Sequence, residues 1–122
     1  SPTIRLEQDG SSGFAPQTWD LAGNETNFFV RDVTGGSRLP FRIKPGAPTD
    51  AIFVAANGNI GMGAGTTPGA PLHVKRTDAS GRILVEDTSA TFGVQLELKK
   101  NGTPRIRFDN SASNAANSEW DI

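Results

Sequence analysis

His73 is the only histidine in a chain of 122 residues that contains no cysteine. A lone imidazole is a weak general base unless a second group orients it. Without a thiolate or another imidazole, no His- or Cys-based zinc site can be assembled. His73 alternates with Leu72 and Val74, which places it on the opposite side of a short strand as a surface or interface residue. The run Gly61-Met62-Gly63-Ala64-Gly65 has the glycine density of a phosphate-binding loop, but that loop has to open a helix, and Pro68 and Pro71 forbid one. Asp9, Asp20, Asp32, Asp50 and Asp87 offer hard oxygen donors without the spacing of an EF-hand. Capping of turns is their simpler use, and a hard cation at a strand end is left open. Glu7, Glu25, Glu86, Glu97 and Glu119 would have to supply any glycosidase pair, whose two carboxylates stand roughly 5 to 9.5 Å apart. No nucleophile has an adjacent base, so the chain is expected to be non-enzymatic and to need no cofactor.

Two further classes of contact remain. Arg38, Arg42 and Lys44, with Lys99, Lys100, Arg105 and Arg107, form small basic groups among acidic residues in a chain of formal net charge −1. Nucleic-acid binding wants a clear basic excess, so none is expected. Trp19, Phe28, Phe29 and Trp120 are the candidates for stacking on sugar rings, since aromatic faces suit apolar sugar surfaces. Phe28 and Phe29 are consecutive and must face opposite sides of a strand, while the tryptophans also suit a core.

These residues sit in short alternating segments, the pattern of half-buried strands. Strands are expected at 3–8, 17–22, 27–32, 38–44, 51–56, 59–63, 71–76, 82–87, 93–99 and 103–109, with another from about 117. Asp9-Gly10, Gly23-Asn24, Gly35-Gly36, Ser80-Gly81 and Asn101-Gly102 separate them as turns. Asn57-Gly58 predicts a two-residue type I′ hairpin. KPGAPT at 44–49 and TTPGAP at 66–71 are rigid elbows that end strands. Leu, Ile, Val and Phe together make only 27 of the 122 residues, a thin core for a monomer, and no disulfide can compensate. Oligomerisation is the natural remedy. No apolar run approaches a membrane span, so no membrane insertion is expected.

Self-comparison finds matches at one offset of 79 residues: Ile4 with Ile83, Leu6 with Val85, Glu7 with Glu86, Trp19 with Leu98, Gly23 with Gly102, Phe29 with Phe108, Phe41 with Trp120 and Ile43 with Ile122. The expected organisation is a full β-rich unit at 1–79, carrying the hairpin and glycine motif of 51–74, and a truncated second copy at 80–122. The chain reads as a fragment of a longer one.

NGNIGMGAGTTPGAPLHV, residues 57–74, resembles the recurring DGNVGIGT…P…LHV motif of phage tail-fibre and tailspike proteins and related bacterial surface fibres. The resemblance implies an extracellular fibre or virion protein built as a homotrimer, with attachment to a surface polysaccharide as a further role. In Ile60–Gly65 one side presents Ile, Met and Ala and the other only glycine, a side that lets another backbone approach closely. Ile52, Val54, Ile60, Gly61, Met62, Gly63, Leu72 and Val74 are therefore the candidates for packing between chains. The fold class is all-β, with an intertwined trimeric β-fibre or β-helix segment as one architecture and a monomeric carbohydrate-binding β-sandwich as the other.

Overall fold

A computed structural model of the chain describes residues 1–109 and, through backbone pairing alone, Glu119–Asp121. The protein is all-β, with no helix among the described residues. It divides into two compact units, Ser1–Arg82 and Ile83–Ile122.

Four strands open the first unit: β1 (Thr3–Gln8), β2 (Gln17–Gly23), β3 (Phe28–Asp32) and β4 (Arg38–Ile43). They form an antiparallel meander in chain order. Each connection is closed by the side chains expected of turns. The Asp9 carboxylate accepts the Ser11 N–H at 2.8 Å, and the Asn24 side-chain oxygen accepts the N–H groups of Thr26 and Asn27 at 2.9 and 3.0 Å. Asp32 accepts the Gly35 N–H at 2.8 Å.

The register slips between Val30 and Asp32. Val30 faces Phe41 while Asp32 faces Arg38, so the single residue Arg31 stands opposite two residues, Leu39 and Pro40. The bulge falls where Pro40 cannot donate to a ladder, on an edge strand, which is the position proline tolerates.

Three shorter strands follow: β5 (Phe53–Val54), β6 (Ile60–Met62) and β7 (Leu72–Val74). β5 and β6 are antiparallel, whereas β6 and β7 run parallel, with Ile60 opposite Leu72 and Met62 opposite Val74. The hairpin at Asn57-Gly58 is not a type I′ turn. The Gly58 N–H donates to the Ala55 carbonyl at 2.9 Å and the Ala55 N–H to the Asn59 carbonyl at 2.8 Å. Gly58 has φ 89° and Asn57 is not at positive φ. This is a three-residue loop in which a glycine in the left-handed region forms the bulge, with Asn57 capping the Asn59 N–H at 3.0 Å.

In the second unit β8 (Arg107–Asp109) pairs antiparallel with β9 (Glu119–Asp121). Among the described residues no strand forms at 82–87 or 93–99, so the order of β1 and β2 does not recur there. Where pairing does recur, it is displaced: Phe108 faces Trp120, yet their counterparts Phe29 and Phe41 face Arg42 and Val30 instead. The bulge of β3–β4 accounts for this one-residue shift.

Candidate functional site

Alternation along the meander sorts its side chains onto two faces of opposite character. One cross-strand row is Arg5–Asp20–Arg31. Asp20 is 1% exposed and its carboxylate accepts from Arg5 Nε at 2.8 Å and from the same guanidinium's NH2 at 3.1 Å, with Arg31 NH1 at 3.5 Å. Hydrogen bonding from Arg5, with the charges of both arginines, holds the Asp20 carboxyl below its ordinary value. Phe29, on the same face in the next row, is buried beside Ala22, with the Arg31 guanidinium 5.0 Å from its ring centroid. This polar face is satisfied within the chain.

The other face is apolar and bare except at the end of one row, where Trp19 is followed by Asp32 and Arg38. Its central row is Ile4–Leu21–Val30–Phe41, flanked by Leu6 beside Trp19 and by Phe28 beside Ile43. Val30 is half-buried; the other seven are exposed, from 36% at Leu21 to 66% at Ile4. The usual arrangement of an antiparallel sheet, apolar face covered and polar face wet, is inverted in this chain.

The same inversion recurs in β5–β7. Phe53, Gly61 and His73 lie side by side on its inner face, against the loop that returns from β6 to β7. A Cβ at Gly61 would stand 3.2 Å from the Ala64 Cβ and 3.3 Å from the Pro68 Cβ. One at Gly63 would stand 2.7 Å from the Lys75 carbonyl and would also meet the Arg76 guanidinium. The close approach expected at these two glycines is made by the chain's own loop and backbone. On the outer face Ile52, Val54, Ile60, Met62 and Leu72 are all exposed, and Val74 is half-covered.

The polar candidates resolve into structural tasks. His73 Nδ1 accepts the Gly69 N–H at 2.9 Å and clasps the glycine-proline elbow, while Asn59 donates to the Pro68 carbonyl at 3.0 Å. Asp9, Asp32 and Asp87 cap turns, the last through Ser89 at 2.8 Å, and Asp20 is ion-paired. The Asp50 carbonyl accepts the Gly63 N–H at 3.2 Å. Among the described residues no three His, Asp or Glu side chains gather closely enough to hold a metal. Of the aromatic candidates, Phe29 is withdrawn because it is buried under Arg31. Trp19 and Phe28 lie on the bare apolar face, and the Trp120 side chain and Ile122 are outside the described residues. Trp19 also borders a shallow groove of about 420 Å³ with Leu6, Glu7, Gln8 and Gln17.

Sequence reasoning missed Ile4, Leu21, Val30, Phe41 and Ile43 as one surface. The signal was present, since each falls on the apolar phase of its strand, but their alignment depends on register, which alternation alone does not supply.

In the second unit every residue from Ile83 to Pro104 is exposed, including Ile83 and Leu84 at 71%, Val94 at 79% and Phe92 completely. No strand is assigned there, and among the described residues no backbone–backbone hydrogen bond outside the strands involves this stretch. No protein-family model, curated protein or solved structure matches the chain. No helix among the described residues is long and apolar enough to cross a membrane.

Proposed function

We propose that the chain is a structural segment of a homotrimeric fibre, extracellular or on a virion, in which neighbouring copies complete the sheets that one copy begins. The observation that carries this reading is the stretch 83–104. Ordering a residue's backbone costs about 1–2 kcal/mol, and this stretch buries no residue within its own chain to offset that cost. A segment evolved to stay solvated is poor in aromatic and β-branched residues. This one carries the apolar run Ile83-Leu84-Val85 and alternates Val94 with Leu96 and Leu98, the latter the pattern of a strand that buries one face.

The exposed large side chains support the same reading: within the four-stranded sheet Ile4, Leu6, Phe28, Phe41 and Ile43 are each more than 40% exposed. Light scattering on the folded protein is expected to return three times 12.9 kDa. A monomer that stays folded on dilution would sink the proposal.

A second reading, a monomeric carbohydrate-binding β-sandwich, has one observation in its favour. The groove at Trp19 combines an indole with the Gln8 and Gln17 side chains, the pairing of an aromatic face with amides that suits a sugar. Under that reading Trp19→Ala abolishes binding on a glycan array and leaves the mass unchanged. In the fibre, attachment to polysaccharide would be a property of the exterior, multiplied by presenting each site three times.

A further inference from the structure

We infer that the apolar face of the β1–β4 sheet is an interface that packs on the same face of neighbouring copies, leaving the Arg5–Asp20–Arg31 face turned outward. This rests on the fibre reading and adds to it which surface meets which. The occupant follows from three observations.

The face is too large and too apolar to be a wet surface. A row of Ile4, Leu21, Val30 and Phe41 runs unbroken across all four strands, with Trp19 and Phe28 beside it. Contiguous exposed patches of this kind mark interfaces. The opposite face needs no partner, because its one buried carboxylate is already met by two guanidinium groups and its one buried ring by an arginine. Burying that face instead would strand Arg5, half-exposed in the present arrangement, in a low-dielectric contact. Finally, the central row carries no charged side chain, and the charges at the end of the Trp19 row, Asp32 and Arg38, face each other and are opposite in sign, so copies that turn this face to a shared axis need not oppose uncompensated like charges. Around a three-fold axis every copy turns the same face inward, so that face has to tolerate itself. Trp19 and Phe28 then belong to the interface and are removed from the list of sugar contacts.

The absence of cysteine makes a direct test simple. Leu21→Cys places one thiol at the centre of the apolar face, and Arg42→Cys places one on the outward face. With a short bis-maleimide, Leu21→Cys is expected to give covalent dimers on a denaturing gel, with the third copy of each trimer left as monomer because each thiol takes one maleimide, and Arg42→Cys only monomer. Leu21→Asp is expected to raise the concentration at which the oligomer dissociates by about a hundredfold or more, since a charge would have to be buried. Arg42→Asp is expected to leave that concentration unchanged. An oligomer in which Arg42→Cys cross-links, or Leu21→Cys does not, overturns this assignment of faces while the fibre reading stands. Wild-type protein that is monomeric overturns both.

Discussion

Asp20 is a residue whose role is set by its neighbours. Its folded pKa lies below the ordinary 3.8, so its contribution to stability is present above that value and is lost as pH falls through the lower folded one. Thermal stability is expected to hold from neutral pH down to about 4 and to fall below it. Asp20→Asn is expected to lower the melting temperature at pH 7 and to flatten the acid limb. The flattening should be partial, because Asp9, Asp32 and Asp78 are also held low, chiefly by hydrogen bonds from Ser11, Gln17 and Ser80. An unaltered melting profile across pH 2–7 would remove Asp20 from this role.

Gly61 poses a different test, one of space. Its missing side chain is the room taken by Ala64 and Pro68, so Gly61→Val is expected to destabilise by about 1–3 kcal/mol through overpacking. Calorimetry checks it. A variant as stable as the parent would mean that the elbow shifts freely.

At the scale of the element, the meander was legible from sequence and the second unit was not. The expected 3–8, 17–22, 27–32 and 38–44 agree with β1–β4 to within a residue, because each strand's partner follows directly after a turn. The 51–56 segment contracts to Phe53–Val54 since its partner β6 has only three residues. The parallel pairing of β6 with β7 was not anticipated, because elbows at prolines announce a change of direction without saying which one. Residues 93–99 alternate as well as β1 does, and 82–87 carries the apolar run Ile83-Leu84-Val85, yet neither forms a strand in the chain. Alternation reports that a segment has two unlike sides; it does not report whether the strand beside it belongs to the same molecule. Amide hydrogen exchange can separate these cases. In the oligomer, amides between Ile83 and Pro104 are expected to be protected, and exchange there at the rate of a free peptide would show that no neighbour pairs with them.

For the whole molecule, the location of apolar surface says more than its amount. The two sheets of the first unit each keep a polar or glycine-lined side for themselves and leave the apolar side uncovered. In the proposed fibre the core lies along an axis shared by several chains, with a single chain supplying only one wall of it. Composition hinted at this through its small number of large apolar residues, and the absence of disulfides removed the usual remedy.

The bulge at Leu39–Pro40 makes the two margins of the four-stranded sheet unequal. β1 carries an uninterrupted run of backbone groups along its free side, while β4 is kinked and lacks one donor. An incoming strand can therefore template on only one margin, and two such sheets cannot fuse β4 to β4 into an endless ribbon. Lateral recruitment of further strands is biased to one margin, a safeguard for a chain with so much of its apolar surface still unclaimed.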